Sequence, residues 1–311
     1  MASEHKIGSK SKEVGWYDPP TNAAAAASGP VRDLLENYSH YQPDEVIPKI
    51  IETVSPNCSF VPPRNLPSPS AKLANSPDYH IQRDKIWDVF PWPCVGQFRF
   101  LDLSLSRHPM YGRILERIRD GGEQFLDVGC CFAQDIRKLV HDGAPAANLW
   151  GLEKQAEFIT LAFDFFRDAD RLAADHFIHA DLLDREHPQA RALEGNVDIV
   201  QLGMILHVWD RAGQVEACRR VVELLRPRPG SLVIGQSVGH LDGVEMAGAG
   251  GKRIFKQNAE TFAAMWEEVG RLTGTKWQVH ASLDEGLGIA QQQRQWDDPR
   301  TRRLSFVVER L

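Results

Sequence analysis

Gln124 to Leu139 reads Gln-Phe-Leu-Asp-Val-Gly-Cys-Cys-Phe-Ala-Gln-Asp-Ile-Arg-Lys-Leu, and no other stretch restricts the fold so strongly. Phe125 to Val128 is a short, mainly apolar run of strand length. Gly129 permits a tight turn that a side chain obstructs, and Ile136, Leu139 and Val140 then recur at helical spacing. A strand that turns through glycine into a helix turns helix-start amides toward a polar ligand, as nucleotide-binding crevices do. Cys131 and Ala133 stand where a full glycine fingerprint has further small residues, and taken alone the turn is also what any βα unit contains.

Downstream, strand and helix alternate. Asn148 to Leu152, Phe177 to Ala180, Val197 to Leu202 and Ser231 to Gln236 read as strands, and Gln155 to Arg167, Arg211 to Leu225 and Ala259 to Thr273 as helices. Repeated βα units with apolar strands predict an α/β fold with a parallel sheet covered on both faces. Trp277 to Leu283 and Leu304 to Glu309 are strands without a helix between them, which predicts an antiparallel pair at the sheet edge.

Upstream the chain is less regular. Residues 1–30 are polar, then alanine-rich, and read as a flexible tail. Val31 to Glu52 carries a helical pattern interrupted at Pro43 and Pro48, and Ser55 to Pro77 is rich in Pro and Ser and should be irregular. Ile81 to Phe100 sets Trp87, Phe90, Trp92, Phe98 and Phe100 around Pro91 and Pro93; a proline-broken backbone exposes rings that a regular helix buries, as a lid requires. His108 to Arg119 resumes as a helix, ended by Asp120-Gly121-Gly122. The division expected is a tail over 1–30, a cap or substrate lid over 31–115, and a ligand-binding domain over 116–311.

Composition narrows the function. A net charge of −6 over 311 residues gives no electrostatic case for nucleic acid, and the Arg300 to Arg303 patch reads as a solvated loop or strand edge. The first residues lack the apolar core of a signal peptide, and Ala23 to Ala27 is too short to span a bilayer, so a cytoplasmic protein without a membrane partner is expected. Five cysteines with no Cys-x-x-Cys support a reduced compartment and argue against structural zinc. A homodimer is left open.

Five residues carry candidate chemistry. Glu153 ends the second strand, 24 positions after Gly129, where a carboxylate can accept both hydroxyls of a ribose; an ordinary first-turn acid favoured by the helix dipole is the competing reading. Asp181 ends the third strand, placed to accept from an adenine amino group or to cap a turn. Gln201 is a polar residue inside an apolar strand and needs a partner if buried. His207 and Trp209 follow that strand, as hydrogen-bonding partner or base and as apolar wall, or as structural residues. A phosphate loop ending in Lys-Ser/Thr, a Gly-x-Ser-x-Gly elbow and His-rich metal spacing are all missing from the sequence.

Leu126-Asp-Val-Gly-Cys-Cys131, Leu152-Glu153, Ala180-Asp-Leu-Leu183 and Val197-Asp-Ile-Val-Gln-Leu202, with the closing strand pair, resemble class I S-adenosylmethionine-dependent methyltransferases. More narrowly, Gly96-Gln-Phe-Arg-Phe-Leu101, His108-Pro-Met-Tyr111, the run Asp127 to Asp135, and Phe262 through Trp266 followed by Thr273-Gly-Thr-Lys-Trp277 resemble small-molecule methyltransferases of fungal secondary metabolism, among them enzymes that methylate carboxylates of polyketide–terpenoid hybrids. This narrower likeness covers residues 85–311 and leaves out 1–80. It implies a Rossmann-like seven-stranded sheet with an antiparallel last strand. It also places the cofactor's methionine part against Asp127, Gly129 and Cys130, the ribose on Glu153, the adenine near Asp181 and Leu182, and the sulfonium near Gln201, Leu202 and Gly203. Ala133 in place of a more usual glycine bears on how closely the helix backbone approaches the ligand. The expected reaction is carboxyl O-methylation of an apolar acid, with Arg99, His207 or Gln97 orienting the acceptor and Trp92, Phe98 and Trp209 lining the pocket. Methylation of a phenol or an amine, a dinucleotide-dependent oxidoreductase and a non-catalytic cofactor-binding module are the alternatives.

Overall fold

The computed structural model describes residues 10–17, 27–50, 82–248, 251–287 and 297–311. The Pro- and Ser-rich stretch 55–77 and most of the alanine run lie outside them. Ahead of the sheet come α1 (Pro30–Asp33), which continues as a π-helical turn over Leu34–Tyr38, then α2 (Val46–Ile50), α3 (Gln82–Val89), α4 (Pro93–Gly96) and α5 (Tyr111–Arg119). There follow β1 (Phe125–Val128), α6 (Gln134–His141), β2 (Leu149–Glu153), α7 (Ala156–Phe166), β3 (Phe177–His179), α8 (Pro188–Ala192), β4 (Ile199–Gly203), α9 (Arg211–Leu224), β5 (Leu232–His240), β6 (Val244–Ala247), β7 (Arg253–Lys256), α10 (Ala259–Thr273), β8 (Trp277–Asp284) and β9 (Thr301–Arg310).

Seven strands form one sheet in the order β3-β2-β1-β4-β5-β9-β8. The first five are parallel, and β9 runs antiparallel to both its neighbours. This is the expected α/β architecture, with the last strand seated between β5 and β8 rather than on the rim. Burial explains the difference in pattern between the halves. Every residue of β1 is buried, as suits a strand covered on both faces, whereas β8 alternates half-buried with exposed positions at the edge.

Strand order reverses between β1 and β4, which pair in register from Phe125 opposite Ile199 to Val128 opposite Leu202. That reversal opens a crevice at the C-terminal ends of the two strands, where open α/β sheets take their ligands. β5 runs to His240, four residues past the expected end, because its whole length pairs with β9. Gly235 and Gly239 permit this: a Cβ on either would lie 2.2 Å from the Leu202 carbonyl oxygen or 2.6 Å from that of Gln257. The low strand propensity of such glycines hid the extension from sequence reading.

The helix expected from His108 starts at Tyr111, preceded by a short 3-10 turn over Leu105–Arg107. Pro48 falls in the first turn of α2, where its missing N–H removes no intrahelical bond. Leu34, Leu35, Tyr38, Val46, Ile50, Trp87 and Phe98 are buried in one apolar cluster with Phe132 and with Phe158, Phe165 and Phe166 of α7. Val14 and Trp16, within the stretch read as tail, are buried in the same cluster.

One buried ion pair fastens this cluster to the sheet layer. Arg137 on α6 is bidentate to Asp168, with Nε to Oδ2 at 2.8 Å and Nη2 to Oδ1 at 3.1 Å, and its Nη1 donates to the Phe132 carbonyl at 2.7 Å. The Tyr38 hydroxyl donates to the same Asp168 carboxylate at 2.8 Å, and burial followed by that carboxylate pushes the phenol pKa upward. Asp168→Ala strands a buried guanidinium and is expected to cost about 3–5 kcal/mol in denaturant unfolding. Tyr38→Phe, which removes one hydrogen bond and no charge, should cost about 1 kcal/mol in the same measurement.

Candidate active site

The β1–α6 turn is held in an unusual backbone. Gly129, Cys131 and Ala133 all take positive φ, at 69°, 51° and 46°. Glycine is required at the first, since a Cβ there would lie 2.4 Å from Ile205 Cδ1. The other two are L-residues in the left-handed region, a strain of about 1 kcal/mol or more each that the surroundings must hold in place. The Gly129 and Cys130 N–H groups donate to the Leu152 carbonyl at 2.7 and 3.2 Å, and the Cys131 N–H donates to Glu153 Oε2 at 2.9 Å. Cys130 is buried with its sulfur against Gly151, where a Cβ would lie 2.9 Å from Sγ. The adjacent cysteines are thus small turn residues, and burial pushes both thiols well above their usual range.

Three carboxylates gather at this turn. Asp127 is the penultimate residue of β1, 4 % exposed, and no described residue hydrogen-bonds its carboxylate; burial, then Asp135 and Glu153, pushes its pKa well up. Glu153 Oε1 accepts from the Gln155 N–H at 2.9 Å, and burial outweighs these amide bonds, so its carboxyl is also raised. Asp135, in the first turn of α6, accepts from the Leu105 N–H at 3.2 Å, the Ser104 hydroxyl at 3.2 Å and Gln201 Nε2 at 2.9 Å. Burial still lifts it to about 6. Sequence reading missed Asp135, whose place after the turn looks like an ordinary first-turn acid favoured by the helix dipole.

Around this centre the other expected residues take distinct places. Gln201 lies beside Asp127 on the neighbouring strand, 3 % exposed, with its amide nitrogen on Asp135 and Oε1 without a partner. Leu202 is buried in the core, and Gly203 ends β4. Asp181 follows β3, where it accepts from Lys154 Nζ at 2.7 Å and the Leu183 N–H at 3.0 Å. Burial raises its carboxyl, but those partners and the Lys252 ammonium outweigh it and leave the group below the usual range. Leu182 is buried beside it.

His207 meets residues that sequence reading did not single out. Its Nδ1 lies 3.1 Å from Ser237 Oγ and accepts from the Val238 N–H at 3.4 Å. Burial, then the Lys256 and Arg99 cations, depresses the imidazole to about 3. Lys256 belongs to the β6–β7 hairpin, which was not expected: its strands are four residues long and half exposed, too short to show a period. The hairpin joins the His207 segment through the Phe255 N–H, which donates to the Trp209 carbonyl at 2.9 Å. Arg99 lies in a 3-10 turn after Phe98, and its charge also acts on Cys94. Gln97 is half-buried on the same segment, Trp92 packs on Phe90 with ring centroids 4.3 Å apart, and Phe98 is buried in the N-terminal cluster. Trp209 is partly buried against the core. Among the described residues no group of His, Cys, Asp or Glu could hold a metal, and no helix is long and apolar enough to cross a membrane.

The chain is 38 % identical over 302 residues to the O-methyltransferase atr3 of Stereocaulon alpinum, a match spanning 96 % of this chain and 77 % of that protein. The chain belongs to the S-adenosylmethionine-dependent methyltransferases of fungal secondary metabolism. A second relative, the O-methyltransferase phiE of a fungal species (strain ATCC 74256), is 32 % identical over 96 % of this chain and 93 % of its own length. The methyltransferase adrK of Penicillium roqueforti is 36 % identical over 63 % of this chain and 70 % of its own. A family model for the meroterpenoid methyltransferase N-terminal domain matches residues 78–101. Alignment over 96 % of the chain takes in most of residues 1–80, which the motif-based likeness had left out.

The site fits the family's cofactor. Buried carboxylates without a cation of their own suit a ligand that brings a sulfonium and an ammonium. Each Glu153 oxygen makes one of the two hydrogen bonds it can accept, so both keep capacity for a ribose hydroxyl. Glu153→Gln is expected to weaken S-adenosylmethionine binding about tenfold or more by calorimetry, since hydrogen bonds to a charged acceptor contribute about 1.5–3 kcal/mol.

Proposed function

We propose that this methyltransferase esterifies the carboxylate of an apolar, medium-sized acid of polyketide or terpenoid type. The observation that carries the reading is the state of His207. With Nδ1 accepting the Val238 N–H and the imidazole depressed to about 3, the ring is neutral and carries its proton on Nε2, an assignment made from the hydrogen bonding. It is a donor. It has no free lone pair with which to take a proton from an acceptor.

An acceptor in such a site has to arrive ionised. A carboxylic acid, with a pKa of about 4, does so at neutral pH, whereas a phenol near 10 does not. Arg99, whose cation acts on His207, supplies the complementary charge, and Gln97 lies two residues before it. Orientation by one or two donors suffices, because stronger stabilisation of the carboxylate would blunt its nucleophilicity. Bound S-adenosylmethionine supplies an activated methyl group. The chain's own task is to align the acceptor and exclude water, with no proton to move. Residues 31–115 serve as the cap, residues 116–311 hold the cofactor through Asp127, Gly129, Cys130, Glu153, Asp181, Leu182, Gln201, Leu202 and Gly203, and Trp92, Phe98 and Trp209 form the apolar wall. The relatives named O-methyltransferases and the meroterpenoid family model agree with this reading.

The test incubates the enzyme with cofactor and a panel of acids, phenols and amines and reads the products by mass spectrometry. A base-labile methyl ester is expected, with kcat/KM flat above neutral pH. A phenol ether whose rate climbs toward the phenol pKa would overturn the assignment. Arg99→Gln should lower kcat/KM about 10- to 100-fold, the loss of one charge-assisted hydrogen bond of about 1.5–3 kcal/mol.

A further inference from the structure

The Gln201 side chain is anchored at its nitrogen and without a partner at its oxygen. Its Nε2 donates to Asp135 Oδ2 at 2.9 Å, and its buried Oε1 has no partner among the described residues. A buried acceptor left unmade is costly, and it is tolerated where a ligand completes it. An amide can be turned over by exchanging its two ends, and only its neighbours decide which end faces where. Here the neighbour is Asp135, an acceptor that admits only the nitrogen. The same carboxylate takes the Ser104 hydroxyl and the Leu105 N–H from the segment ahead of α5. Asp102 on that segment, Asp127 on β1 and Tyr111 on α5 are the other titratable groups that sense or press on it.

We propose that Asp135 is a positioning residue: it locks the Gln201 amide so that Oε1 is presented as an acceptor to the amino-acid part of the cofactor, and it pins residues 104–105 to the same point. The inference rests on S-adenosylmethionine being the cofactor. The ligand group that completes Oε1 is an N–H donor carrying positive charge, which matches the three carboxylates gathered at the turn and excludes an anion. Asp135→Asn keeps the shape but offers an NH2 group, against which Gln201 reverses and turns a donor toward the ligand.

Binding of two probes separates this from a general loss of structure. S-adenosylhomocysteine carries the amino-acid part, and 5′-methylthioadenosine has the same nucleoside without it. Calorimetry on the full chain is expected to show S-adenosylhomocysteine weakened about tenfold by Asp135→Asn and by Gln201→Leu, with methylthioadenosine changed less than about twofold. The double variant should be no weaker than the worse single one, because both changes remove the same contact. Equal losses for both probes, no loss for either, or losses that multiply in the double variant would overturn the proposal. Binding of both probes to the native chain tests the cofactor assignment separately. Should Asp135→Asn fail to fold, Gln201→Leu alone still decides whether the loss is confined to the amino-acid part.

Discussion

Three carboxylates out of water, Asp127, Asp135 and Glu153, face a single backbone turn, and most of what surrounds them exists to make that tolerable. Glu153 receives two backbone amides, and Asp135 receives an amide, a hydroxyl and a side-chain nitrogen. The Asp127 carboxyl receives no hydrogen bond from the described residues, and burial, then the two neighbouring carboxylates, raises its pKa. Such a cluster is costly in an empty site and favourable once a cation enters, so the free protein stores part of the selectivity for a positively charged cofactor. The strained backbone at Cys131 and Ala133 belongs to the same arrangement, since it aims the Cys131 amide at Glu153.

Around His207 the charges are positive. His207 is neutral, its Nδ1 is taken, and two cations, Arg99 and Lys256, act on it from different segments of the chain. Lys256 is itself held by Asp297 at 3.0 Å and Thr301 at 2.9 Å, which fixes the β6–β7 hairpin against the base of β9. The hairpin therefore contributes to the electrostatics of the site and to its closure.

How much of this was legible in the sequence follows the physics of each element. β1 and α10 have the limits that sequence reading gave them, because the first is a buried apolar run stopped by glycine and the second is closed by a capping box at Asn258 and Thr261 and by Gly274. The Gly129 turn and the strand end at Glu153 were legible as well, because glycine and a closing acid mark them along the chain. Asp135, Ser237 and Lys256 were not, since each matters through a partner 30 or more positions away, which no local pattern records. The same is true of Arg137 and Asp168, which join two layers that the sequence presents as unrelated segments. The β6–β7 hairpin was missed because its strands are shorter than the period needed to recognise them.

The central claim is that a buried carboxylate cluster, its pKa values raised in the free protein, waits for a cation. Asp135, lifted to about 6, binds a proton in part of the free protein at that pH, and an entering cation lowers its pKa, so binding and proton release are linked. Calorimetric titration of S-adenosylmethionine into the native chain at about pH 6, repeated in buffers of different ionisation enthalpy, measures that release directly. The account predicts a net release of protons on binding. Binding with no release, or with uptake, would contradict it.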